Sequence, residues 1–216
     1  AAPESVAVFL TGAAGDLNTG HRVEDSYAAD ASGKRTFAEA DRIGWVLADA
    51  VLAAADRPLT ADGVGVHTRA VALAFDRVDP AEADRQRAAW RGEIDAGVDP
   101  LRAALLTAWI EWADALLAGA YDHLGDAWPA TVTALTIGDA ALVTLPGEPF
   151  LRSAERIAAG AAGPVLVAGY ANGCPGYVPP VEEYPHGGYE VVDAHRYYGM
   201  PGPFAPGSAE RLEAAA

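Results

Sequence analysis

Two short apolar runs joined by a two-residue turn constrain this chain more than any other stretch. Residues 131–137 read T-V-T-A-L-T-I, Gly138-Asp139 follow, and residues 140–145 read A-A-L-V-T-L. β-Branched residues suit a pleated, half-buried surface. Gly and Asp are the residues that tight hairpin turns select. An antiparallel strand pair is therefore expected over residues 130–145. Its second strand runs directly into Pro146-Gly147-Glu148-Pro149-Phe150. A short helix to residue 162 and a further buried strand at residues 164–168 (P-V-L-V-A) complete this part of the pattern.

Upstream, residues 5–10 (S-V-A-V-F-L) read as a short buried strand, and residues 11–20 as a glycine-bearing loop. Thr36 with Glu39 three residues later makes a capping-box pattern, and apolar residues then recur at helical spacing up to Pro58. Residues 63–78 alternate like a strand. Asp79-Pro80 and Asp99-Pro100 each read as a helix start, with Pro at the first helical position. The first of these helices ends near Gly97. The second is expected over residues 101–123, with an apolar face wide enough to imply burial on more than one side or a subunit contact. Residues 209–216 read as a short closing helix. The fold class expected is mixed α and β (α/β or α+β), a central β-sheet flanked by helices.

Length and composition narrow the function. A chain of 216 residues suits one domain with a sizeable core, and 51% hydrophobic against 21% charged residues is a globular balance. The formal charge is −15, which repels phosphate backbones and argues against nucleic acid. No apolar run approaches the roughly 20 residues of a membrane span. Lys34 is the only lysine and lies in a polar loop, which argues against P-loop, pyridoxal and kinase chemistry. The lone Cys174 has no sequence context for a nucleophile. His21, His67, His123, His186 and His195 show no zinc-type pairing, so each reads as an ordinary surface or core residue. The start, Ala1-Ala2-Pro3-Glu4, has no Met and no signal-peptide core, which suggests a chain cut from something longer and leaves the compartment open.

Three segments can carry chemistry, and each has a plainer reading. Thr11-Gly12-Ala13-Ala14-Gly15-Asp16 after a strand resembles the nucleotide loop of short-chain dehydrogenases. The third glycine of that fingerprint is Asn18 here, and the Tyr-x-x-x-Lys pair is missing. The plainer reading is a glycine turn with Asp16 capping local amides. Glu148, rigidly presented between Gly147 and Pro149, suits a metal ligand or a general base, or else the first turn of a helix. Residues 169–190 concentrate Tyr, Gly, Pro and acids. That suits a fixed loop presenting hydroxyls and carboxylates, or a Tyr-rich surface loop.

Taken in order, these segments resemble the neutral/alkaline, non-lysosomal ceramidase family, in the central and later parts of its zinc amidase domain. Phe9-Leu10 with Gly12-Ala13-Ala14-Gly15-Asp16 and Asn18 is similar to F-L-x-G-A-A-G-D-x-N-P of its distant bacterial relatives. Pro146-Gly147-Glu148 is similar to the family's P-G-E. Ala171-Asn172, Gly176-Tyr177, Glu182-Glu183-Tyr184 and Tyr189-Glu190 fall at the spacing A-N-x-x-x-G-Y-x-x-x-x-E-E-Y-x-x-x-x-Y-E. Residues 33–128 offer no motif to compare.

The resemblance implies a zinc-dependent hydrolase of a linear, N-acyl lipid-like amide, working in lipid or sphingolipid metabolism. By it, Glu148 and Tyr177 would be metal ligands and Tyr189 an oxyanion donor, while Asn18 and Asp16 would shape the pocket. Asn18 stands where the family has its active-site serine, with Thr19 beside it. The family's two histidine ligands lie upstream of the first segment, so residues 1–216 would form one domain fragment completed by a missing upstream half or a companion chain. The family's immunoglobulin-like C-terminal domain has no counterpart here. The other readings are a non-catalytic scaffold or subunit of the same fold, and an NAD(P)-binding protein.

Overall fold

The computed structural model describes residues 8–18, 20, 36–55, 57–60 and 63–216. The chain divides into two compact units, residues 18–60 and the remainder. In the smaller unit, helix α1 spans Phe37–Ala53, and the Thr36 hydroxyl accepts from the Glu39 amide at 3.1 Å as the capping pattern requires. Lys34, His21 and Thr19 lie outside the described residues.

The larger unit is built on a four-stranded mixed sheet. Strands β1 (Val64–Ala74), β2 (Ala127–Ile137), β3 (Ala140–Thr144) and β5 (Val165–Ala168) lie in the order β1-β2-β3-β5. β1–β2 and β2–β3 are antiparallel, with Arg69 opposite Val132 and Ala134 opposite Val143. β3 pairs in parallel with β5, and helix α4 (Leu151–Gly160) makes the crossover. A second ladder of two residues each pairs β4 (Glu148–Pro149) in parallel with β6 (Tyr177–Val178). The expected hairpin is present, with Gly138 at φ 57° in the turn.

Period-2 alternation sends Leu73, Ala130, Val132, Val143 and Leu145 into one core, which Ile157, Met200, Phe204 and Leu212 close from α4, the late loops and helix α5 (Ser208–Ala215). Helices α2 (Pro80–Ala96) and α3 (Pro100–Leu117) form a separate hairpin, with Ala83, Trp112 and Ala113 at its buried centre. Both begin as the Asp-Pro pairs require: Asp79 accepts from the Ala81 and Glu82 amides, and Asp99 from the Leu101 and Arg102 amides.

Three expectations change. Val8, Phe9 and Leu10 form no strand and are 75%, 76% and 53% exposed; the remainder of that expected strand, residues 5–7, lies outside the described residues. The chain there makes a backbone bond from the Gly169 amide to the Thr11 carbonyl at 3.0 Å. The long helix stops at Leu117 and not at residue 123, because Gly119 takes φ 76° and turns the chain in the manner of a C-terminal cap. Glu148 and Pro149 do not start a helix. They are held in β4, and α4 begins at Leu151 with its first amide bonded to the Asp16 carboxylate at 2.8 Å.

Candidate functional site

The site is built where β3 leaves the sheet. Leu145 is fully buried, and Pro146 and Gly147 turn the chain so that Glu148 enters β4 opposite Tyr177. Only glycine fits at 147: its φ is 67°, and a Cβ there would lie 2.4 Å from the Gly176 carbonyl oxygen. The Gly147 and Glu148 amides donate to the Gly173 and Gly176 carbonyls, both at 2.9 Å, so the loop carrying Cys174 is laddered onto Glu148. On the other side, a Cβ at Gly15 would lie 2.5 Å from the Glu148 carbonyl oxygen, and the Gly15 amide donates to the Pro149 carbonyl at 2.9 Å. The Thr11-to-Asp16 loop thus needs its glycine to let β4 pass.

Glu148 is 6% exposed. Its two carboxylate oxygens are taken separately, Oε2 by the Tyr170 hydroxyl and Oε1 by the Tyr198 hydroxyl. A buried carboxylate needs such donors. Tyr177 adds a third phenol, its ring edge-on to Tyr189 at 5.7 Å and to Tyr198 at 6.1 Å. Burial, and then the Glu148 charge, push the Tyr177 phenol well above its ordinary value. Tyr170 and Tyr198 rise for burial first and for the hydrogen bond to Glu148 second. A cation among these groups would reverse the electrostatic part of that shift. Cys174 is also raised, by desolvation first and by Glu148 as well, which is the opposite of an activated thiolate.

The sequence-derived site residues divide accordingly. Glu148 and Tyr177 are brought together as neighbours across a parallel ladder. Tyr189 is 43% exposed and stands beside Tyr177, its phenol raised by burial and then by Tyr197. Asp16 is exposed and caps the start of α4. Asn18 belongs to the smaller unit, where its Oδ1 accepts from the Gly20 amide at 2.7 Å. Glu182 pairs with Arg156 at 2.6 Å, and the Tyr184 hydroxyl donates to the Phe204 carbonyl at 2.8 Å, so both brace the fold.

Reading the sequence missed Tyr170, Tyr198 and the support behind them. Arg196 places its guanidinium 4.9 Å from the Trp109 ring, 5.3 Å from Trp90 and 5.5 Å from Trp112, and pairs with Asp193. The Trp109 indole donates to the Tyr197 hydroxyl at 2.9 Å, and the Trp112 indole to the Met200 carbonyl at 2.8 Å. The α2–α3 hairpin therefore grips the segment on both sides of Tyr198. The density of Tyr and His in residues 169–206 was the one signal pointing here.

No protein-family model matches this chain. No match to a curated protein was found either. Among the described residues, no helix is long and apolar enough to cross a membrane. Among the same residues, no three His, Cys, Asp or Glu side chains cluster as a metal site would need. Glu148 and Tyr177 offer two oxygen donors, fewer than the three protein ligands that a catalytic zinc site keeps.

Proposed function

We propose that the larger unit carries the oxygen-donor half of a zinc amidohydrolase centre of the ceramidase-like kind, acting on an N-acyl, lipid-like amide. The observation that supports this reading is the buried Glu148 carboxylate, set in register with Tyr177 and bonded by two further phenols, with the half-exposed Tyr189 edge-on to the Tyr177 ring. Zinc, when bound, would polarise the amide carbonyl and lower the pKa of a bound water. Glu148 and Tyr177 would hold it, with two imidazole nitrogens supplied by an upstream half or a companion chain. Tyr189 would donate its hydroxyl to the developing oxyanion, a task that calls for a neutral phenol. A phenol is neutral at neutral pH, and burial raises that of Tyr189 further.

A second reading is a non-catalytic scaffold, favoured by the absence of a fuller donor cluster among the described residues. Zinc content and hydrolysis of a fluorogenic N-acyl amide, measured on the purified protein with and without Glu148→Gln, separate the two. Bound zinc and turnover that both fall in the variant support the hydrolase. Zinc-free protein whose residual activity is indifferent to Glu148→Gln removes it and leaves the scaffold.

A further inference from the structure

Helices α4 and α5 pack on the face of the four-stranded sheet that carries Leu73, Val132 and Val143. The register fixes what points the other way. Val66 stands opposite Leu135, Leu135 opposite Leu142, and Leu142 beside Leu166, so one apolar row crosses all four strands. The alternate positions above and below that row are Ala, Val, Ile, Thr and Pro, and none is charged. His67 and Arg69, the basic residues of these strands, have the opposite parity and share the helix-covered face with Val132. The arrangement inverts the usual one, in which the open face of an antiparallel sheet is the polar one. Val64, Val66 and Leu166 are 72%, 65% and 70% exposed. An uncovered apolar face of this extent marks an interaction surface.

The hydroxyls on this face are already engaged. Thr68 and Thr133 share a hydrogen bond across the strands at 3.3 Å. The Thr144 hydroxyl donates to the Thr133 carbonyl at 3.3 Å and accepts from the Asn172 side-chain amide at 3.2 Å. Covering these groups therefore strips no hydroxyl of its partner, which is the main cost of burying one.

We propose that this face is the interface of a symmetric dimer, in which the sheet stacks on the same sheet of a second copy. The proposal goes beyond the reading of Glu148 and does not depend on it. β1 and β2 have 11 residues each, β3 has 5 and β5 has 4. At about 3.4 Å per residue and about 4.8 Å per strand the face covers about 500 Å², so two copies bury about 1,000 Å², the size at which specific interfaces begin. A two-fold interface must be complementary to itself. An uncharged face meets that condition, because it brings no like charges together although the chain carries a formal charge of −15. Two equally twisted sheets stack with their strands about 30° apart. A different protein would be selected by charges that this face does not offer, and a lipid surface by Lys and Arg that it does not carry.

Sedimentation equilibrium of the full chain over the micromolar range tests the proposal. The wild type is expected to dimerise with concentration, and more tightly in added salt, because screening relieves repulsion between two acidic copies. Val66→Glu and Leu166→Glu change exposed side chains, so circular dichroism should show both folded. Each should raise the dissociation constant about 100-fold or more, since symmetry sets the new carboxylate in the interface twice. Val192→Glu, exposed but outside the sheet, should leave it unchanged. A wild type that stays monomeric, a dimer that withstands both sheet substitutions, or one that weakens equally in Val192→Glu overturns the proposal. A monomer that instead floats with phosphatidylcholine vesicles assigns the face to lipid and overturns it as well.

Discussion

His195 makes a prediction that requires no knowledge of the reaction. It is 7% exposed, its ring edge-on to Trp112 at 5.0 Å, and neither ring nitrogen has a well-aligned hydrogen-bond partner. Burial, and then the neighbouring Arg196 charge, push its pKa down from 6.5 to about 3; a poorly aligned contact to the Val192 backbone opposes this. Glu190, Tyr177 and Tyr184 line the small cavity beside it. Because the folded value is depressed, the unfolded chain takes up a proton near pH 6.5 that the folded chain refuses down to about pH 3. Stability from this group is therefore complete above pH 6.5 and lost progressively as the pH falls toward 3. At pH 5 the gap below the unfolded value is about 1.5 units, and at 1.36 kcal/mol per unit the loss is about 2 kcal/mol. That figure hardly depends on the folded value, provided it stays well below 5. His195→Phe keeps an aromatic edge against Trp112 and removes the titration. Urea unfolding of both proteins at pH 7 and pH 5 isolates the term, since all other titrating groups are common to the pair. Wild type should lose about 2 kcal/mol more than the variant between the two pH values. Equal losses would refute the claim that His195 is buried and neutral.

Two structural predictions accompany it. Gly147→Ala forces a Cβ to within 2.4 Å of the Gly176 carbonyl oxygen at φ 67°, so unfolding free energy should fall by more than about 1–2 kcal/mol, and hydrogen exchange at the Glu148 amide should accelerate. A wild-type exchange rate in that variant would mean that β4 and β6 do not need the close approach. Asp99→Ala removes the side chain that accepts from the Leu101 and Arg102 amides and should cost about 1 kcal/mol in urea unfolding, whereas Asp99→Asn, which keeps an acceptor, should cost little.

The elements legible in the sequence are those whose cause is local. Asp79-Pro80 and Asp99-Pro100 start helices because the carboxylate, the proline and the amides they serve lie within three residues of one another. The Gly138-Asp139 turn pairs neighbouring strands, and Gly147 presents Glu148 within one step of the sheet. Glu148 and Tyr177 were legible as a pair only through the family resemblance, since nothing local joins residues so far apart in the chain. The expected strand over residues 5–10 fails over residues 8–10 because apolar composition signals burial without specifying a partner, and Val8, Phe9 and Leu10 remain largely exposed.

The tertiary structure alone decided which phenols meet Glu148. Tyr170 and Tyr198 arrive from 22 and 50 residues away in the chain and are indistinguishable by type. One is left half-exposed on a strained backbone, and the other is packed between residues bonded to Trp109 and Trp112. Asp16 likewise caps a helix 135 residues further on and not its own loop. Spacing and propensity act over a few residues, so the sequence by itself determined the helix starts, the hairpin and the presentation of Glu148. Long-range packing of the α2–α3 hairpin against the late loops decided what surrounds that carboxylate.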